Sequence, residues 1–88
     1  MRLKPDFEIV DVADEYLVVP VGEEAATYKG IVALSEAAAF LLKNSGEDLA
    51  EDTLVRLLLD NYELEEEKAR ADVRELIRKL KELRLVEA

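Results

Sequence analysis

Residues 28–42, YKGIVALSEAAAFLL, most tightly constrain what this chain can fold into. A turn-forming Lys29-Gly30 leads into an apolar run, Ile31, Val32, Ala33 and Leu34, and Ser35-Glu36 then reads as a helix start. The Ser35 hydroxyl can accept a hydrogen bond from one of the backbone N–H groups left free in a first helical turn. A short strand therefore passes into a helix without a loop.

The flanking segments fit around that join. Residues 7–12 (FEIVDV) are β-branched and alternate imperfectly, Ala13-Asp14-Glu15 turns the chain, and residues 16–21 (YLVVPV) make a second strand whose Pro20 marks its end or an edge. These two strands form a hairpin. Gly22-Glu23-Glu24 is a break, and residues 25–34 are extended, with the third strand at 31–34. A first helix covers residues 36–43, and Asn44-Ser45-Gly46 supplies a left-handed stop. A second helix covers residues 51–61, with Leu54, Leu57 and Leu58 on one face. A third runs from Glu65 to Arg84, its acidic first turn matching the positive end of the helix dipole. The order is βββααα: an α+β, winged-helix-like domain, a three-stranded antiparallel sheet followed by a three-helix bundle, filling residues 1–88 as one unit.

With 88 residues, such a domain has room for a core but little for an enclosed active site, so a binding surface is expected. The chain has no His and no Cys. That removes Ser-His and Cys-His nucleophile pairs and the ordinary zinc site. Gly22, Gly30 and Gly46 lie too far apart for a phosphate-cradling loop. No apolar run is long enough to span a membrane, and the first residues, MRLKPDFEIV, lack a signal peptide's apolar stretch. The expectation is a cytoplasmic protein.

Charge is unevenly spread. The net charge is −9, yet residues 67–88 hold seven Lys/Arg against five acids, leaving residues 1–66 with five Lys/Arg against sixteen. At about 100° per residue, Ala69, Val73, Leu76, Ile77, Leu80 and Leu83 gather into an apolar stripe on the third helix. Arg70, Arg74, Arg78, Lys81 and Arg84 form a basic stripe along one of its borders. Lys68, Asp72, Glu75, Lys79 and Glu82 fill the remaining face. The plainest reading of the basic stripe is a solvated face with local ion pairs. The other is a contact surface, since Val73 and Ile77 set apolar groups beside the cations.

The stretches EYLVVPVGEEAATYKGIVALSEAAAFLL and LVRLLLDNYELEEEKARADVRELIRKLKELRLVE carry a resemblance. From Leu3 to Val86 the chain resembles the PqqD family, the pyrroloquinoline quinone synthesis protein D type, also known as precursor-peptide recognition elements of ribosomally made, modified peptides. The shared features are Leu34-Ser35-Glu36, Ala37-Ala38-Ala39, the Leu-rich residues 54–59, Tyr62-Glu63-Leu64 and Asp72-Val73, in that order and spacing. Three positions depart. Ser35 stands where Asn is common, Leu42 where Trp is frequent, and Arg84 where Gly often ends the last helix. Arg84 must either accept a left-handed backbone, at about 1 kcal/mol, or let the helix run on.

The resemblance implies a non-catalytic clamp for a leader peptide, needing no cofactor or metal. The leader would add as a strand beside the third strand and lie in the groove between it and the third helix. The implied contact set is Tyr28, Lys29, Ile31, Val32, Ala33 and Leu34 on the strand side. On the helix, Val73 and Ile77 form an apolar floor, and Arg70, Arg74, Arg78 and Lys81 attract an acidic leader. The residues support this independently, because an edge strand exposes unpaired backbone groups that an added strand can use. The resemblance also implies a maturase partner, often of the radical S-adenosylmethionine type.

Two alternatives stand beside it. A winged helix could bind DNA through the cations of the third helix, but the acidic remainder repels phosphates, so neither nucleic acid nor an anionic membrane is an expected partner. A structural homodimer could form by pairing the same open strand edge with its own copy.

Overall fold

The structure, a computed structural model, describes residues 1–22, 30–46 and 49–87. Among these residues the elements run β1 (Arg2–Leu3), β2 (Phe7–Val12), β3 (Glu15–Pro20), β4 (Val32–Leu34), α1 (Glu36–Asn44), α2 (Glu51–Asn61), α3 (Glu66–Glu82) and β5 (Val86–Glu87). Strands β2, β3 and β4 form one antiparallel sheet in that order, and the three helices follow it, as the sequence implies. Tyr28 and Lys29, with the rest of residues 23–29, lie outside the described residues.

The β2–β3 hairpin closes on Val12↔Glu15 and runs to Phe7↔Pro20. Its two turn residues, Ala13 and Asp14, have φ of 49° and 68°. That left-handed pair suits the twist of a two-residue hairpin turn. β4 adds to β3 in the register Tyr16↔Leu34, Leu17↔Ala33, Val18↔Val32. Alternation then sends Phe7, Ile9, Val18, Val32 and Leu34 toward the core.

At the strand–helix join, Ser35 is extended (ψ 163°), and its Oγ accepts a hydrogen bond from the Ala38 N–H at 3.1 Å. α1 buries Ala39, Leu41 and Leu42, so the Leu at position 42 fills core space. α1 extends one residue past the expected end, to Asn44, and stops where Gly46 turns left-handed at φ 62°. α2 contributes Leu54, Val55 and Leu58, and α3 contributes Ala69, Val73, Leu76 and Leu80. Their apolar stripes close the core from the side opposite the sheet.

Some boundaries differ from expectation. The second strand begins at Glu15 and the third at Val32, leaving Ile31 outside it. Glu65 is an extended N-cap rather than part of α3. The helix ends at Glu82, and Arg84 takes the left-handed conformation, φ 59°. A feature the sequence hid is the ribbon of β1 with β5, Arg2↔Glu87 and Leu3↔Val86. The Arg2 Nε–Glu87 Oε1 pair at 2.9 Å and the bond from Lys4 N–H to the Leu85 carbonyl, also 2.9 Å, tie it down beside the buried Leu85. Two-residue strands are too short to display alternation.

The left-handed Arg84 gives the first prediction. Arg84→Gly relieves the Cβ clash and should raise stability by about 1 kcal/mol, seen as a higher urea midpoint with unchanged slope. An unchanged or lower midpoint would show that the backbone at this position holds no strain.

Candidate functional site

Among the described residues β4 pairs with β3 alone, and no other described strand lies on its second edge. Beside that edge opens a groove of about 550 Å³. Ala33, Leu34 and Ser35 form one wall, and α1 supplies Ala37, Ala38 and Leu41. Leu58, Tyr62 and Leu64 close it from α2 and the turn that follows, and α3 brings Asp72, Glu75, Leu76 and Lys79. The alanines explain the space: larger side chains at 37 and 38 would fill it. The Tyr62 ring is steadied by an edge-on contact with Phe40, centroids 5.7 Å apart at 83°. The floor is apolar, and three charged residues on α3 make the rim.

Those rim residues stand at i, i+3 and i+7, on one side of α3. Asp72 accepts from Lys68 at 2.8 Å and Glu75 from Arg78 at 3.0 Å. Both pairs are exposed, so exchanging either partner for a ligand's charge has a small energetic consequence.

The expected helix-side residues are divided by this geometry. Val73 is 0% exposed and packs in the core, so it cannot serve as an open floor. Arg74, Ile77, Arg78 and Lys81 line a separate depression of about 270 Å³ together with Glu51. Each of these four lies two residues beyond its counterpart in the groove: Asp72, Glu75, Leu76, Lys79. That step turns the position by about 160° around the helix axis. The basic stripe therefore borders the core on the flank away from β4. Arg70 is turned toward the start of α2, with Nη1 2.6 Å from Glu51 and 3.0 Å from Asp52.

On the strand side, Val32, Ala33 and Leu34 form β4, while Ile31 precedes it and is 63% exposed. Asp72, Glu75, Leu76 and Lys79 line the groove but are not among the expected contact residues. Three of them had read as solvated charge and one as core, but Ala37-Ala38 beside the strand was a usable signal of open space. Among the described residues no helix is long and apolar enough to cross a membrane, and no cluster of metal-binding side chains occurs.

The family model described as coenzyme PQQ synthesis protein D (PqqD) matches residues 11–86. Among solved structures, TbiB1 in complex with the TbiA(beta) leader peptide is similar at a TM-score of 0.77 and 14% identity, covering 100% of this chain and 96% of that one. A lasso peptide synthetase B1 complexed with its leader peptide gives 0.67 at 23% identity, covering 92% and 89%. At these identities the likeness is one of fold. Comparison with curated proteins gives no match.

The arginines of α3 are engaged within the chain. Arg74 Nε lies 3.0 Å from Glu51, and Arg78 reaches Glu82 at 2.7 Å as well as Glu75. Hydrogen bonds from Arg74 and then Arg70 hold the Glu51 carboxyl below its usual range. The bond to Glu51, then that to Asp52, raises Arg70, and Glu82 and Glu75 raise Arg78. A carboxyl lowered in the folded state stabilises it above the unfolded value and loses that effect as pH falls through the folded one. Glu51→Gln should thus destabilise the protein at pH 7, and the gap from wild type should close as pH drops below 4.5, the ordinary value. Urea midpoints at pH 7 and pH 3 test this. A gap of equal size at both would show that packing, not charge, accounts for the effect.

Proposed function

The chain belongs to the PqqD family, and we propose that it binds the leader segment of a ribosomally made precursor peptide and presents it to a modifying enzyme. The observation that carries this reading is the edge of β4, unpaired among the described residues, running alongside an apolar groove that ends on α3. The two similar structures, each bound to a leader peptide, support it.

The physical account is strand addition. The leader extends the sheet as a neighbour of β4, its backbone pairing with the free groups of Val32, Ala33 and Leu34. Ile31 extends the contact at one end, and the expected Tyr28 and Lys29 would lengthen it. Alternate leader side chains point toward the groove, where apolar ones displace water from the half-buried Ala37, Ala38, Tyr62 and Leu64. The rim sets polarity. Cationic leader groups suit Asp72 and Glu75, and an anionic one suits Lys79. An acidic leader attracted by Arg70, Arg74 and Arg78 fits less well, because those cations already hold carboxylates. The same engagement, with a net charge of −9, weighs against DNA.

In this reading the domain is a cytoplasmic binder without chemistry of its own. The enzyme supplies the reaction, and family membership suggests a radical S-adenosylmethionine maturase. Self-pairing at the β4 edge would compete with the leader.

The test is fluorescence anisotropy with the labelled leader of the precursor peptide encoded beside this chain. Ala37→Phe fills the groove from α1, and its thermal unfolding reports whether the fold persists. A folded Ala37→Phe should weaken binding by about tenfold or more, near 1.4 kcal/mol. Lys79→Glu should weaken it less and make it less sensitive to salt. Absence of wild-type binding, or full binding by Ala37→Phe, would contradict the proposal.

A further inference from the structure

We infer that the outer face of the three-stranded sheet is a second docking surface, and that it takes a protein surface with an apolar strip bordered by Lys and Arg: the modifying enzyme. The inference rests on the leader-binding reading for the identity of that enzyme, but the surface is argued from the sheet alone.

An antiparallel sheet with helices on one side is normally polar on the other. This one is apolar on both. The residues that point away from the core are Val10 and Val12 on β2, and Leu17 and Val19 on β3. Ala33 on β4 lies opposite Leu17, so Val10, Leu17 and Ala33 form one row across all three strands. None of them joins the core cluster. Among the described residues the two large hydrophobic side chains standing exposed are Val12, at 53%, and Ile31, at 63%. They extend the row diagonally at its two ends. Val10, Leu17 and Val19 between them are half-buried, and a contiguous apolar strip open to solvent on one face marks an interaction site.

The charges on the same face choose the occupant. Glu8 lies opposite Val19 and Glu15 opposite Val12, so carboxylates flank the strip at both ends. A second copy would set these acids against their own kind, between chains that each carry −9. A partner with cations around an apolar centre meets the strip and both flanks. Position adds a reason for an enzyme that handles the peptide. A leader strand beside β4 would extend this sheet, and its outward side chains would continue the same face. The enzyme would then touch domain and leader together and distinguish the loaded form from the empty one.

The test uses the modifying enzyme encoded beside this chain, immobilised for biolayer interferometry, with leader present and absent. Two variants outside β4 and the groove lining are compared with wild type: Val12→Lys, and Glu8→Lys with Glu15→Lys. Both should keep leader affinity by anisotropy and weaken enzyme association by about tenfold, while added salt weakens the wild-type association. Stronger enzyme binding by leader-loaded than by empty protein is also expected. Undiminished association by both variants overturns the inference, as does wild-type protein that fails to bind the enzyme. A wild-type dimer by sedimentation that both variants dissociate would overturn the choice of occupant. Leader binding lost in wild type, with enzyme association still sensitive to the variants, would instead sink the leader reading and leave the surface standing.

Discussion

The Ser35 hydroxyl accepting the Ala38 N–H holds the geometry on which the rest depends. Because the cap falls one residue after β4, the strand has no freedom to drift from α1. The register Tyr16↔Leu34 fixes the strand against β3, and the cap fixes the helix against the strand. An edge strand pinned on both counts is a rigid template, and rigidity lowers the entropy lost when a peptide is ordered along it. The alanines of the first helical turns follow from the same join. Ala37 and Ala38 line the groove beside β4, and their small side chains leave it open.

The far wall is held differently. α3 meets α2 through a core of Leu54, Leu58, Val73 and Leu80, all buried. Outside that core Glu51 binds both Arg70 and Arg74, and Asp52 adds a second partner for Arg70. Exposed ion pairs contribute little energy each, so the rotation of α3 about its axis is set by its buried stripe of Ala69, Val73, Leu76 and Leu80, and the pairs accompany it. That rotation decides which of its two flanks looks at β4. With the arginines drawn to the start of α2, Asp72, Glu75 and Lys79 are turned to the groove.

Most of the fold was legible because it rests on local signals. The hairpin around Ala13-Asp14, the cap at Ser35, the stop at Gly46 and the bounds of α2 all follow from residues within a few positions of one another. The β1–β5 ribbon was not legible, because it joins Arg2 to Glu87 across the whole chain and each strand is two residues long. The site was half legible. Its strand could be read from the apolar run before Ser35. The wheel of α3 gave the apolar stripe correctly, but a stripe has two borders, and nothing in the helix itself says which faces the strand. The basic border drew notice because cations are scarce in this chain. The α2 partners of Arg70 and Arg74, Glu51 and Asp52, lie some twenty residues away and carry no sequence mark of the pairing.

The most direct measurement is an amide-resolved NMR titration of labelled protein with the leader of the precursor peptide encoded beside it. The account predicts shifts that gather on Val32 to Leu34 and on Asp72, Glu75, Leu76 and Lys79, with slowed amide exchange along β4. Shifts confined to Arg74, Ile77, Arg78 and Lys81, or none at saturating peptide, would contradict it.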